Sequence, residues 1–409
     1  MVIKGAPHQI WGEPIKQKII VKMSWTLIDA ADSLQKFCQE VLEEKPSFIA
    51  IDCEFVRQTT YWPHLGLLQL ATPNHAVIID PVIHNLSLGP LEAILQEPSI
   101  TKVFHSGHQD IEILYNLLGD CPRPIFDTQI AAAFAGLGEG LGYEKLVNVL
   151  LDIKVSKDEQ FTDWLKRPLR QEQLDYAIHD VLYLKEIYGL LKDRLDDLGR
   201  QNWPEEFFLN LSNPKTFAIA PEKAWQRLRA PFSKWQQYSI LWDLAAWREQ
   251  YAQTHNISRS LLADNRLLLD LSIAPFMEQA ELKETLKSHR QKLNTDALFE
   301  NFYRCYEKAH QFLDQDDLTQ QHRKQIIKAW TSQSFQNQLT TEQKQAFKNM
   351  RITVQKVADQ LSIPVSCVSN RREIESFISC PDASHKLLNG WRGGLLREVL
   401  KSFLNQGEN

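Results

Sequence analysis

The sequence has no run approaching the ~18 apolar residues that a membrane span requires. Its N-terminus also lacks the compact apolar region and small-residue cleavage site of a secretory leader. A cytoplasmic protein with no membrane partner is the expectation. Cysteine is sparse: Cys38, Cys53, Cys121, Cys305, Cys367 and Cys380 are scattered with no CxxC pair, which argues against a disulfide framework or a zinc ribbon. Reduced thiols in packed cores are expected instead. Strong net charge is lacking as well, at -5 overall, but the two halves differ. Residues 1–200 hold 19 Lys+Arg against 28 Asp+Glu, whereas residues 201–409 hold 27 against 23. Acidic sites hold metal ions and basic faces hold phosphate, so this asymmetry suits a division of labour.

With 409 residues, 43% apolar and 24% charged, the chain can build ordinary cores and is long enough for two or three domains. Residues 1–22 are weakly patterned and read as an N-terminal extension. From Ser47 the runs SFIAIDCEF, LGLLQLAT and HAVIIDP predict three short strands in an antiparallel meander. Helical and strand-like segments then alternate: LGPLEAILQEP, KVFH, HQDIEILYNLL, PIFD and TQIAAAFAG. This interleaving predicts a mixed α/β sheet. A long helix is expected from about Pro168, with Leu174, Ala177, Val181, Leu184 and Ile187 on its apolar stripe. It closes a first domain over residues 23–204. Trp203 to Pro221 reads as a linker, and almost no strand signal follows it. Two small helical domains are expected, over 205–312 and 313–409, with Leu388, Trp391, Leu395 and Val399 aligned on the last helix.

The chemistry lies in acidic residues. Asp52 and Glu54 are two apart on an apolar strand, so both carboxylates project from one face and Cys53 from the other. Like charges side by side in an apolar setting are costly unless a cation neutralises them. Tyr176 and Asp180 are one helical turn apart and share a face. Asp110 falls at the start of a helix, where a carboxylate can be a plain cap. Converging, Asp52, Glu54, Asp110 and Asp180 would form an oxygen-only ligand set suited to Mg2+ or Mn2+ rather than zinc. Such sets serve two-metal phosphoryl transfer, and a neighbouring tyrosine could orient the attacking water. Asp127 reads as a structural or capping carboxylate. His64, His105, His108 and His179 are too scattered to read as a metal set.

IDCEF, HSGHQD and LDYAIHD resemble the three exonuclease motifs of the DEDD superfamily, in the subtype with Tyr176-x3-Asp180. The longer strings IDCEFVRQTTYWPHLGLLQLAT, PIFDTQIAAAFAG and TDWLKRPLRQEQLDYAIHDVLYL are similar to the ribonuclease D family. WRGGLLREVL and VSNRREI resemble the helical HRDC modules that this family carries in two copies. The resemblance spans about residues 23–405. It implies a ribonuclease-H-like fold with two all-α modules behind it, and 3'-to-5' hydrolysis of RNA, typically in trimming tRNA precursors to release 5'-mononucleotides. It also implies that Asp52 bridges two divalent ions, that Glu54 and Asp180 hold the ion activating water, that Asp110 holds the second, and that Tyr176 orients the water.

Phosphate contacts in the tail are expected from Arg227, Arg229, Arg371, Arg372 and Arg392, with Lys234, Lys324, Lys328 and Arg397 as further candidates. A monomer acting on RNA with a free 3' end is the resulting picture. Rival readings are a DNA exonuclease on the same centre, a non-catalytic RNA-binding scaffold, and an HD-type phosphohydrolase prompted by His179-Asp180. The last would need an all-helical, histidine-rich site.

Overall fold

A computed structural model describes residues 24–155, 158–160, 162–228, 230, 232, 234–287, 296–311, 324, 339–382 and 384–404. The expected extension over 1–22, the breaks around 313–321, Arg229 and Lys328 lie outside these residues.

The sheet has six strands: β1 (Thr26–Ile28), β2 (Phe48–Val56), β3 (His64–Ala71), β4 (Ala76–Ile79), β5 (Thr101–Phe104) and β6 (Ile125–Asp127). Their spatial order is β1-β4-β3-β2-β5-β6. β2, β3 and β4 form the expected antiparallel meander, while β1, β5 and β6 add parallel pairs at its flanks. β1 is too short to carry a periodic signal and was not legible in the sequence.

β2 alternates between two cores. Ile49, Ile51 and Cys53 pack on one side with α1 (Ala31–Glu44) and α3 (His108–Leu118). Ala50 packs on the other, against Ala177, Val181 and Leu184 of the long helix α6 (Gln171–Asp197). That helix begins three residues after Pro168, at an Arg170 N-cap closed by the Gln173 side chain. Its stripe is as expected, except that Leu174 is only partly buried. The register of β2 and β3 shifts between Glu54 and Phe55, so Gly66 bulges out of the ladder. Glycine is required there, because a Cβ would stand 2.6 Å from the Trp164 carbonyl oxygen.

Lys102 on β5 is fully buried, its ammonium donating to the Glu97 and Ile100 carbonyls at 2.8 and 2.6 Å. Burial pushes its pKa down from 10.5 to about 8. Between those values the unfolded chain holds a proton that the native state has released, so stability rises with pH through that window. Lys102→Met is expected to flatten the rise in thermal unfolding from about pH 7.5 to 10.5. An undiminished slope would assign it to other groups.

Contacts divide the chain otherwise than at 204/205 and 312/313. One unit comprises residues up to 56, 64–217 and 348 onward, and the other comprises 57–63 and 218–347. The expected linker from Trp203 to Pro221 is largely built into the first unit: α7 (Glu205–Leu211) sets Phe207 against Phe134 and Phe208 against Phe126. The first unit also includes α13 (Thr341–Leu361) from Lys348 onward, α14 (Val365–Val368), α15 (Arg371–Ser379) and α16 (Gly390–Leu404). Within it, Trp203 stacks on Trp391 at 4.4 Å, and Arg200 donates to the carbonyls of Phe134 and Leu361. The second unit is helical, built on α8 (Trp235–His255), α9 (Arg259–Leu262), α10 (Asn265–Ile273), α11 (Gln279–Lys287) and α12 (Asp296–Gln311). Tyr238 and Ala245 lie in its core with Trp242 packed against it.

Candidate active site

The side-chain alternation of β2 aims Asp52 and Glu54 at the α6 side, in register with Ala50, and Asp180 comes from α6 itself. One carboxylate oxygen from each of Asp52, Glu54 and Asp180 lies within 4.8 Å of the others. Asp180 is buried and the other two are partly exposed. Burial pushes Asp52 up to about 7. It pushes Glu54 and Asp180 well above the carboxylate range, and the negative charge of Asp52 adds to both shifts. Among the described residues no lysine or arginine pairs with any of these carboxylates. Converging acids without a protein cation fit one or more hard divalent ions.

A second observation supports that fit. Gln69 stands directly across from Asp52 on β3, so the two share a face of the sheet. It is fully buried, and neither its amide nitrogen nor its amide oxygen has a partner. A buried amide left unpaired costs about 1–3 kcal/mol, which ion-bound water can relieve.

Asp110 belongs to the same acidic neighbourhood but not to the close trio. It is on the first turn of α3, which packs on the Cys53 side of β2, and its carboxylate hydrogen-bonds the Cys53 thiol. Burial, and after it the charge of Asp52, raise its pKa well above normal. Cys53 thus does more than fill the core. The Tyr176 hydroxyl hydrogen-bonds Asp180, as their one-turn spacing allows, and its ring lies 6.1 Å from that of Trp164.

Asp127 is the structural carboxylate it was read as. It caps α4 (Thr128–Phe134) through the Gln129 and Ile130 amides and also accepts from Ser106 and Gly107, the residues leading into α3. The histidines do not converge: His108 packs on Phe217, His179 stacks on Tyr183, and burial holds His105 down at about 4. Sequence reasoning missed Gln69 and Tyr143. The Tyr143 hydroxyl donates to the carbonyls of His179 and Asp180, bracing the turn of α6 that carries the acid.

A family model described as 3'-5' exonuclease matches residues 25–196. Ribonuclease D of Sphingobium indicum is 41% identical over 63% of this chain and 66% of its own length. Ribonuclease D of Bartonella henselae is 32% identical over 84% of this chain and 82% of its own length. The chain belongs to the ribonuclease D family. Membership in this family of 3'-5' exoribonucleases accords with the solved structures. Escherichia coli RNase D, titled an exoribonuclease involved in structured RNA processing, is similar with a TM-score of 0.74 at 28% identity, over 94% of this chain and 99% of that one. No described helix is long and apolar enough to cross a membrane.

The arginines proposed for nucleic acid divide sharply within this family member. Arg392 is buried, donating to the Val368 and Cys367 carbonyls and pairing with Glu206, so it is spent on holding the fold rather than on phosphate. The reason is spacing: Arg392 shares a face of α16 with Leu396 and Leu400, and it is these leucines, not Leu395, that are fully buried. Arg371 pairs with Glu375 at 2.6 Å but is largely exposed, as are Arg372 and Arg227.

Proposed function

We propose that the protein shortens RNA from its 3' end by metal-assisted hydrolysis, with 3'-extended tRNA precursors as substrates and 5'-mononucleotides as products. The observation that carries this reading is the convergence of Asp52, Glu54 and Asp180 within 4.8 Å, with no protein cation paired to them among the described residues. In this reading two divalent ions, Mg2+ or Mn2+, would be held by these acids: Asp52 would serve both, Glu54 and Asp180 would complete the ligands of one, and Asp110 would serve the other. Bound there, the ions would supply Lewis-acid stabilisation of the phosphoryl oxygens and lower the pKa of a coordinated water. Tyr176, already bonded to Asp180, would orient the attacking water through its hydroxyl. The precursor substrate rests on the family resemblance, as does the assignment of the helical regions as HRDC-type modules that grip the RNA body. The protein would act as a monomer.

The test is incubation with a 3'-extended tRNA with Mg2+, with Mn2+, or with chelator. A ladder of products one nucleotide apart and released 5'-mononucleotides are expected only with metal. Equal rates on a matched DNA end would move the assignment to a DNA exonuclease. Tyr176→Phe retains the ring and removes the hydroxyl, so kcat is expected to fall about 10²-fold through misplaced water, with KM within about twofold. Loss confined to KM would place the hydroxyl in substrate binding instead.

A further inference from the structure

Within the second unit, a cavity of about 750 Å³ is lined by Arg57, Arg248, Arg259, Arg266, Ser258 and Ser260, with Asp264 as the one carboxylate in its wall. No aliphatic side chain lines it among the described residues. Apart from the Tyr61 ring, which Arg259 covers, an acyl chain would find no apolar side chain to pack against. The Asp264 carboxylate is engaged as the N-cap of α10, accepting from the Leu267 amide at 2.8 Å. Behind the wall Glu249 takes Arg259 through two 2.6 Å hydrogen bonds, and the guanidinium lies over the Tyr61 ring at 4.3 Å. That fixes the guanidinium plane. Arg248 is 4% exposed, and donates through one terminal nitrogen to the Ala263 carbonyl and Asn265 Oδ1, while its buried Nε has no partner. Three carboxylates stand against these four guanidinium groups: Glu249 on Arg259, the capping Asp264, and Asp270, which pairs with the exposed Arg266 at 3.7 Å.

We infer that this cavity is a phosphate-binding subsite for the backbone of the RNA substrate, separate from the acidic centre. Pre-oriented guanidinium groups beside serine hydroxyls match the tetrahedral, multiply accepting phosphate better than they match a carboxylate. The chain itself argues for the substrate's phosphate over a free one. Arg57 follows the last residue of β2 and is three residues from Glu54, so the two Cα atoms cannot be more than about 11 Å apart. One residue of the cavity wall is therefore joined to the strand of the acids by a short covalent link. This inference rests on the proposed RNA substrate.

The test uses the full chain and a 5'-fluorescein single-stranded oligoribonucleotide, with chelator present to prevent hydrolysis. Ser260→Glu and Arg266→Glu change exposed side chains of the wall, and Lys223→Glu changes an exposed lysine of the same unit outside it. Each wall variant is expected to weaken binding about fivefold or more and to make the slope of log K against log salt shallower by about 0.7, the value for one single-strand phosphate contact. Lys223→Glu should stay within about twofold of wild type. Wild-type slopes in both wall variants, or an equal loss in Lys223→Glu, would overturn the subsite. So would displacement by poly-glutamate as effective as by unlabelled RNA. Thermal unfolding checks each fold, and either wall variant alone suffices if the other fails to fold. If the wild-type protein with metal shortens no RNA, the proposed function fails; if it does and the wall variants bind unchanged, only the subsite fails.

Discussion

Asp52→Asn is expected to reduce RNA hydrolysis by about 10³-fold or more while raising the stability of the metal-free protein. The first effect follows from its place. Asp52 lies within 4.8 Å of Glu54 and Asp180, its charge bears on Asp110 as well, and in the proposed scheme it serves both ions, so loss of that charge is expected to remove several kcal/mol of transition-state stabilisation. The second follows from the same geometry with the opposite sign. Without metal, the Asp52 charge bears on Glu54, Asp110 and Asp180, raising the proton affinity of each, and among the described residues no protein cation offsets it. Asparagine is nearly isosteric and removes the repulsion, so a gain of roughly 1–3 kcal/mol is expected in chelator. Mn2+ should then stabilise the wild type, because it binds only the folded set, and should stabilise the variant much less. Melting curves with chelator and with Mn2+ would show the two proteins changing order. A variant less stable than wild type under both conditions would make Asp52 a packing residue.

How much of this was legible in the sequence depends on whether the signal was local. The β2 alternation, the Asp52–Glu54 spacing and the Tyr176–Asp180 turn are properties of single elements, and period alone set which face each carboxylate takes. The meander and the α6 stripe were legible for the same reason. Tertiary partners were not. Nothing in GLGY marks Tyr143 as the brace for the Asp180 turn, and nothing in LGLLQL marks Gln69 as an amide buried without a partner opposite Asp52. The Arg392 error has the same origin: a cation in a basic tail reads as solvated until Glu206, 186 residues earlier, is found against it. Residues 57–63 follow the strand that carries Asp52 and Glu54, yet Tyr61 hydrogen-bonds Glu249 at 2.5 Å, so they fold with the helical unit. A linear reading assigns them to the strand's own domain.

Asp127 is expected to matter to catalysis although it touches no ion in the proposed scheme. Its two oxygens accept from four backbone amides: Ser106 at 3.2 Å, Gly107 at 2.8 Å, Gln129 at 2.9 Å and Ile130 at 3.2 Å. Two of those amides start α4, and the other two lead into α3, whose first turn carries Asp110. One buried side chain thus sets the distance between a strand end and the helix that presents a proposed ligand. Asp127→Ala would remove a helix cap and leave several amides without acceptors, together about 3–5 kcal/mol of stability. Below the melting point of the variant, the metal concentration for half-maximal rate should rise, with kcat falling about 10–10²-fold as Asp110 loses its placement. Asp127→Asn keeps one acceptor oxygen but turns an NH2 group toward amides that already donate, so it should fall between wild type and alanine. The metal titration separates the two roles of this carboxylate. If Asp127→Ala melts early yet shows a wild-type metal requirement while folded, its hydrogen bonds hold the fold together without positioning Asp110.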